Sequence, residues 1–435
     1  MFLLGQLLKS DPKKHQKSTG AYYFRLKTSH RDLEDRLFWI PKESEIKDAI
    51  TTDVYFQYAV EALDYAKINP VVTMEVYTRK TPFDSNWAVV CGIYEVAKLL
   101  EGIPVDVDAF EEGGVFLTDP HLAIYEPVMR ITGHYRDFAR YENPILGFLC
   151  QSSGICTKSA RMVLAAEGKI GMSFGTRRAH PALAAMIERS SYIGGIDSVS
   201  NILGAMLLKT EAGGTMPHAF IICVGDEVRA WQIFNSAISK KVPRIALIDT
   251  FSDEKMAAIK AWETLGQDLY GVRLDTPSTR RGDLKKIVQE VRWELQIRGG
   301  GRVKIFVSGG LDEPEIIALK DAVDGFGIGT SISTAPVLDF GGKIVYLETD
   351  SGEKELISKR GDLSGVKNVF RDASTFTDVI SLDKKPPAGN YKPLLQPILR
   401  KGEIVRDFLS VEKIRQKTMR DVKLAAKLAP KILVK

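Results

Sequence analysis

The spacing of apolar positions changes character near residue 135. Upstream of it, Thr51-Thr52-Asp53 is an N-cap signal, and Val54, Tyr55, Tyr58, Ala59, Ala62 and Leu63 then recur at helical spacing. This predicts a helix with an aromatic inner face. Tyr55 reads first as a core residue, although an aromatic beside a cap is also placed to reach across a subunit boundary. Val71 to Arg79 alternates as a strand does, Trp87 to Leu100 reads as a helix, and Val115-Phe116-Leu117 and Val128-Met129-Arg130-Ile131 read as short strands. Strands and helices follow no regular alternation here, so 1–134 is expected to be an α+β sandwich domain. The first forty residues are basic and carry no readable pattern, and Asp11-Pro12-Lys13-Lys14 reads as a turn or loop.

From Tyr135 a helix through Leu149 and another from Thr157 to Ala166 lead into the strand Ile170 to Phe174. Short strands then alternate with longer helices. The expected strands are Ser191 to Ile193, Arg244 to Asp249, Leu269 to Asp275, Lys304 to Ser308 and Gly325 to Ile328, with helices over Ser252 to Leu265 and Asp283 to Arg298. Repeated βα units make a parallel sheet, and the strands end in polar, glycine-rich corners of the kind where barrel sites collect. A closed α/β barrel over 135–335 is therefore expected, with an open doubly wound sheet as the competing arrangement. The absence of Gly-x-Gly-x-x-Gly after an early strand counts against a dinucleotide fold. After Thr334-Ala335-Pro336 the alternation fails. Ile344-Val345-Tyr346-Leu347 and the segment to Pro397 read as strands returning to the first domain, so 336–435 is expected to complete it. Val411 to Lys435 reads as a basic amphipathic helix with Ile414, Met419, Val422 and Leu424 or Ala425 inward, a solvated face assigned no partner.

At 435 residues the chain exceeds what one core usually supports, which agrees with two domains. A formal net charge of +5 favours anionic small molecules and falls far short of the dense basic stripe that nucleic acid requires. Cys91, Cys150, Cys156 and Cys223 form no CxxC pair and have no histidine at metal spacing, which speaks against zinc and against a disulfide framework. A reducing cytoplasm is the expected location. The opening Met1 to Leu8 lacks a basic leader and reads as a poor signal peptide, and no apolar run is long enough to predict a membrane span.

Four corners carry candidate chemistry. Phe174-Gly175-Thr176-Arg177-Arg178-Ala179-His180-Pro181 sets two guanidinium groups between a strand and the expected start of a helix, where bidentate anion recognition and a solvated turn are both open readings. Gly213-Gly214-Thr215-Met216-Pro217-His218 places an imidazole after two glycines; His218 is either a satisfied structural histidine or an acid, base or phosphoryl acceptor. In Val272-Arg273-Leu274-Asp275-Thr276-Pro277, running on to Arg280-Arg281-Gly282-Asp283, Arg273 and Asp275 alternate with apolar residues and share one face. They form a structural ion pair, or they offer a cation and an anion to a ligand. The fourth corner is a succession of two glycine turns, Ser308-Gly309-Gly310 and Gly327-Ile328-Gly329-Thr330-Ser331, arranged as a barrel phosphate cradle.

In this order these motifs, with Gly194-Gly195-Ile196-Asp197-Ser198-Val199-Ser200-Asn201, Gly214 to Phe220 and Thr52-Asp53-Val54-Tyr55, resemble the nicotinate phosphoribosyltransferase family from about residue 50 to 348. The continuation Thr276-Pro277-Ser278-Thr279 is similar to archaeal-type members, some of which carry a cysteine zinc module near the C-terminus; no cysteine follows Cys223, which excludes that module. The resemblance implies an incomplete, TIM-like barrel joined to a sandwich built from both chain ends. It also implies transfer of ribose 5-phosphate from phosphoribosyl pyrophosphate to nicotinate in NAD biosynthesis, with Mg²⁺ as cofactor and ATP as co-substrate. By the same resemblance Phe174 stacks on the pyridine ring with Tyr55 of a neighbouring subunit opposite, and Arg178 and Arg273, with Arg177 and Thr215 beside them, hold nicotinate carboxylate or pyrophosphate. Asp275 takes the ribose hydroxyls directly or through Mg²⁺. Ser308, Gly309, Gly310, Gly327, Gly329 and Thr330 take the 5′-phosphate, and His218 is phosphorylated. A shared site implies at least a homodimer. The alternatives are transfer to nicotinamide, which offers the arginines no charge, transfer to quinolinate, which needs further cations, and a non-catalytic nucleotide-binding relative.

Overall fold

Six strands, Ile170–Ser173, Ser198–Val199, Arg244–Leu247, Leu269–Leu274, Lys304–Ser308 and Gly325–Ile328, build a wholly parallel sheet. The computed structural model describes residues 36–279 and 282–435; the basic opening segment with Asp11-Pro12-Lys13-Lys14, and Arg280-Arg281, lie outside the described residues. Across the sheet the order is Ser198–Val199, Ile170–Ser173, Gly325–Ile328, Lys304–Ser308, Leu269–Leu274, Arg244–Leu247. The two edge strands do not pair with each other, so the closed barrel expected from the alternation is instead an incomplete one. Helices Ile202–Leu208, His218–Val224 and Glu227–Ala237 occupy the chain between those edges, where a closed barrel has further strands.

Side-chain alternation assigns each residue to a face. Val272, Leu274, Ile305 and Val307 point outward into one core with Ala257, Ala258 and Ala261 of helix Glu254–Leu265 and Val288, Val291 and Leu295 of helix Leu284–Ile297. Arg273 and Phe306 are register partners and face the concave side, where Met172, Ile245 and Phe306 are buried with Ile170 and Phe174 packed on them. Two glycines make that concave face possible. A Cβ on Gly325 would stand 2.7 Å from the Phe306 ring, and one on Gly327 2.4 Å from the Phe174 ring.

The second body is a seven-stranded antiparallel sheet that uses both parts of the chain, in the order Lys354–Glu355, Gly341–Glu348, Val71–Tyr77, Met129–His134, Asp106–Ala109, Gln396–Arg400, Glu403–Ile404. Its core, including Met74, Val107 and Ile131, also holds Ile93, Val96 and Leu100 of helix Ile93–Leu100 and Ile145 and Leu149 of the long helix Glu142–Ala165. That long helix is the joint between the bodies. On one side its Thr157 Oγ1 accepts from the Val89 backbone N–H at 3.0 Å, and its Ser153 Oγ from that of Cys91 at 2.9 Å.

Several expectations need correction. Trp87 to Leu100 is a strand, Trp87–Val89, followed by a helix from Ile93, because Gly92 at φ +99° breaks the run. The helices expected to end at Leu149 and begin at Thr157 are one, Glu142–Ala165: the intervening Ser152 and Ser153 and the following Thr157 are buried, and Ser153 and Thr157 bond to the backbone of Cys91 and Val89. Ser191 to Ile193 ends helix Ala184–Ile193, and the strand comes later at Ser198–Val199. The terminal helix stops at Leu428, where Ala429 turns left-handed, and Lys431–Val434 pairs parallel with Thr377–Ser381. Helix Val54–Ala66 buries Phe56 and turns Val54, Tyr55 and Tyr58 to solvent, so its aromatic stripe is an outer face and Tyr55 is not a core residue. Among the described residues, no helix is long and apolar enough to cross a membrane.

Candidate active site

Because every strand of the sheet runs the same way, all six carboxyl ends lie along one edge. Phe174 follows Ser173 there, Asp249 follows the strand ending at Leu247, Asp275 follows Leu274, and the glycine turns follow Ser308 and Ile328.

His218 opens helix His218–Val224 after Pro217, a residue fixed in extended backbone. Its Nδ1 is 3.0 Å from Thr250 Oγ1, which leaves Nε2 facing two carboxylates, Asp249 Oδ1 at 3.7 Å and Asp275 Oδ2 at 3.8 Å. Asp249 is nearly buried. Its Oδ2 accepts the Asp275 backbone N–H at 2.8 Å and the Thr276 hydroxyl at 3.1 Å, while Oδ1 is buried with no hydrogen-bond partner among the described residues. Burial pushes the Asp249 carboxyl above its usual range, against the bonds from Asp275 and Thr276 and the charge of His218. Asp275 is fixed by one oxygen, Oδ1, which accepts from Ser308 Oγ at 2.8 Å. A side chain on Gly309 would crowd that same oxygen at 3.0 Å.

Arg273 lies on the concave face, 8% exposed, with its guanidinium carbon 5.8 Å from the centre of the Phe174 ring. Nη2 donates to the Met216 carbonyl at 3.2 Å, and Nε is buried with no partner among the described residues. Burial lowers its pKa, opposed by the charges of Asp275 and Asp249 and reinforced by that of Arg177. A desolvated guanidinium with an unmet donor beside an aromatic face is suited to a planar aromatic carboxylate. Thr215 is half-buried next to Met216, on the segment that supplies the Arg273 acceptor.

Arg177 and Arg178 stand exposed on the 3-10 turn Thr176–Arg178 directly after Phe174. The α-helix they were expected to open begins only at Ala184, after a second turn capped by His180, so no helix end backs them. The two glycine turns are tied together by Ser331 Oγ, which donates to the Leu311 carbonyl at 2.6 Å. Gly309 and Gly310 both have positive φ, +92° and +68°, and a Cβ on Gly310 would meet open space. Tyr55 lies apart from this group on helix Val54–Ala66, its ring centre 4.3 Å from that of Phe56. A place over Phe174 therefore requires a second chain.

Sequence reasoning overlooked Asp249 and Thr250. The signal was present: Ile248-Asp249-Thr250 and Leu274-Asp275-Thr276 repeat one Asp-Thr ending on adjacent strands. Among the described residues no three His, Cys, Asp or Glu side chains form a metal cage. Mg²⁺ is commonly held by one or two carboxylates together with substrate oxygens, and Asp275 Oδ2 and Asp249 Oδ1, which accept no hydrogen bond among the described residues, fit that mode.

Known proteins resemble the chain over most of its length. Models for the quinolinate phosphoribosyl transferase N-terminal and C-terminal domains match residues 53–153 and 155–343. The nicotinate-nucleotide pyrophosphorylase of Pyrococcus furiosus has 47% sequence identity and a TM-score of 0.85, over 89% of this chain and 98% of that one. A nicotinate phosphoribosyltransferase of Mycobacterium tuberculosis is 29% identical across 82% of this chain and 83% of its own length. Human nicotinic acid phosphoribosyltransferase shares the fold, with a TM-score of 0.66 at 20% identity over 86% of this chain and 94% of its own.

Proposed function

The chain belongs to the nicotinate phosphoribosyltransferase family, and from that premise and the geometry we propose how its residues join nicotinate to phosphoribosyl pyrophosphate, releasing pyrophosphate, in NAD salvage. The observation that carries the assignment is the buried Arg273 guanidinium over Phe174, its Nε unpaired among the described residues. Nicotinate stacks on Phe174 and presents its carboxylate to Arg273, which aims the ring nitrogen at the ribose. Asp275, anchored by Ser308, keeps Oδ2 for the ribose hydroxyls, so the sugar carbon that gains positive charge as pyrophosphate departs lies beside carboxylate. The linked glycine turns present backbone N–H groups to the 5′-phosphate, and Arg177 and Arg178 face the pyrophosphate from the rim. Bound Mg²⁺, held by Asp275 with Asp249 behind it, would offset pyrophosphate charge.

ATP is the co-substrate in this reading, and His218 accepts its terminal phosphoryl group. Nδ1 is engaged by Thr250, so Nε2 is the attacking atom, ADP is the leaving group, and Asp249 and Asp275 stabilise the imidazole as it gains charge. The functional unit is a homodimer. Two apolar surfaces support it: Tyr55 and Tyr58, each 56% exposed, on one body, and Met206 and Leu207, 68% and 66% exposed, on helix Ile202–Leu208 of the other.

The test is product formation from phosphoribosyl pyrophosphate and Mg²⁺ with nicotinate, nicotinamide or quinolinate, each with and without ATP. Mononucleotide from nicotinate, stimulated by ATP, is expected. Product from quinolinate alone would reassign the substrate to the dicarboxylate named by the matched domain models, with Arg177 and Arg178 meeting the second carboxylate.

A further inference from the structure

The helix Glu313–Leu319, which follows the Ser308-Gly309-Gly310 turn, opens with a concentration of negative charge. Asp312 caps it, its carboxylate accepting the Glu313 N–H at 2.6 Å, and Glu315 closes the capping box by accepting the Asp312 N–H at 2.9 Å. Acidic side chains suit a helix start. Beside a turn that receives a phosphate they are a liability, because like charges a few ångströms apart in a partly desolvated site repel strongly.

Two cations on the long helix Glu142–Ala165 meet this cluster. Lys158 Nζ donates to Asp312 Oδ1 at 2.5 Å and to Glu313 Oε1 at 2.9 Å. Arg161 grips Glu313 through Nε at 3.0 Å and Nη2 at 2.8 Å, spends Nη1 on the Asp84 carbonyl at 3.2 Å, and lies over the Phe83 ring at 5.6 Å. Burial raises the Glu313 carboxyl, but the bonds and charges of Arg161 and Lys158 outweigh it and hold the group below its usual range. The same two side chains thus cancel two charges and fasten the glycine turn to the helix that joins the two bodies.

We infer that Lys158 and Arg161 are positioning residues for phosphoribosyl pyrophosphate: by neutralising and anchoring Asp312 and Glu313 they make the Ser308-Gly309-Gly310 turn able to accept the 5′-phosphate without touching it. The inference deepens the proposed function and rests on its assignment of that turn to phosphate.

The experiment compares wild type, Lys158→Met, Lys158→Met/Asp312→Asn, Gly310→Asp and Gly310→Asn. KM for phosphoribosyl pyrophosphate, KM for nicotinate, and thermal midpoint are measured for each. Asn keeps the cap at position 312, and Asn and Asp at 310 carry the same left-handed backbone and differ only in charge. Lys158→Met is expected to raise KM for phosphoribosyl pyrophosphate about tenfold, a modest charge-pair effect at a partly buried site, with nicotinate KM within about twofold. Removing the stranded carboxylate in Lys158→Met/Asp312→Asn should restore most of the loss. Gly310→Asp should bind far worse than Gly310→Asn. If the two 310 variants behave alike, the turn does not hold phosphate, and both the assignment and the inference fall. If they differ while Lys158→Met leaves KM unchanged, raises both KM values equally, or is not rescued by Asp312→Asn, the assignment stands and the inference is wrong. Should Lys158→Met fail to fold, Arg161→Met with Glu313→Gln as its rescue carries the same comparison.

Discussion

Replacing Arg273 by Met separates binding from folding. Met keeps the length of the aliphatic stem and its contact with Phe174, and it removes the charge. In the free protein the guanidinium is 8% exposed and makes one hydrogen bond among the described residues, to the Met216 carbonyl, worth about 1 kcal/mol net. Its desolvation opposes that gain, as its lowered pKa records, while the nearby Asp275 and Asp249 charges partly repay it. These contributions nearly cancel, so the thermal midpoint should stay unchanged or rise slightly. With nicotinate bound the balance differs. Losing the cation opposite a desolvated carboxylate costs about 3 kcal/mol, so kcat/KM for nicotinate should fall roughly 150-fold. Nicotinamide has no carboxylate, and its much smaller activity should fall little, so that discrimination between the two substrates collapses. Steady-state kinetics with both substrates, beside a thermal melt, reads all three quantities. Equal losses for nicotinate and nicotinamide, or a fall in the melting midpoint matching the fall in activity, would show that Arg273 is structural and that the carboxylate binds elsewhere.

Other consequences are open to direct measurement. Burial pushes the Glu142 carboxyl up to about 6; a raised pKa contributes stability below the unfolded value that is lost as pH rises through the folded one. Glu142→Gln should therefore match wild type near pH 4 and exceed it by up to about 2 kcal/mol at pH 8 in urea titrations; a constant difference across that range would refute the reasoning. Asp249 is raised by the same cause, so Asp249→Asn should melt no lower than wild type at neutral pH yet lose ATP stimulation and acid-labile label from γ-labelled ATP, as should His218→Ala. Retained label in Asp249→Asn would leave Asp249 without a role at His218. Gly327→Ala forces a methyl toward the Phe174 ring at 2.4 Å; nicotinate KM should rise at least tenfold, and an unchanged KM would remove Phe174 from the ring site. Tyr55→Ala mixed with Arg178→Ala should regain part of the activity if subunits share sites, whereas mixtures as inactive as their parents would place each site within one chain.

What the sequence disclosed follows from which signals are local. Strands Leu269–Leu274 and Lys304–Ser308 were readable because a parallel sheet buried on both faces demands an apolar run, and the Gly309-Gly310 turn because positive φ demands glycine. Ser191 to Ile193 misled because three residues cannot distinguish a strand from the last turn of a helix. The gap expected between a helix ending at Leu149 and one beginning at Thr157 does not exist, for a tertiary reason: the Ser153 and Thr157 hydroxyls between and beside those bounds face another backbone segment, not water. The stripe of helix Val54–Ala66 was read correctly as apolar and wrongly as internal, since periodicity reports that a face is apolar and not whether the chain folds over it. Arg273 and Asp275 were placed on one face by alternation alone, whereas His218 meeting Asp249 joins elements separated by a helix and was legible only through the repeated Asp-Thr ending.

The failure of the barrel to close accounts for much of this site. A closed ring would carry a strand between Ser198–Val199 and Arg244–Leu247, with both its polar edges occupied by ladder bonds. Here that span holds the loop from Gly213 to Pro217 and a helix beginning at His218, so a carbonyl at Met216 is free to accept from Arg273 and an imidazole two residues later is free to face Asp249 and Asp275. The Arg273 guanidinium and the histidine are thereby fixed by one short segment. Glycine at 213 is what admits it: a Cβ there would stand 1.8 Å from Ser198 Oγ and 3.1 Å from its Cβ, so a larger residue turns that hydroxyl aside and presses the segment, with the Met216 acceptor and His218, against the edge strand. Gly213→Ala should consequently impair nicotinate binding and ATP coupling together, although residue 213 is placed to touch neither substrate. Loss of one without the other would show that the two groups are held independently.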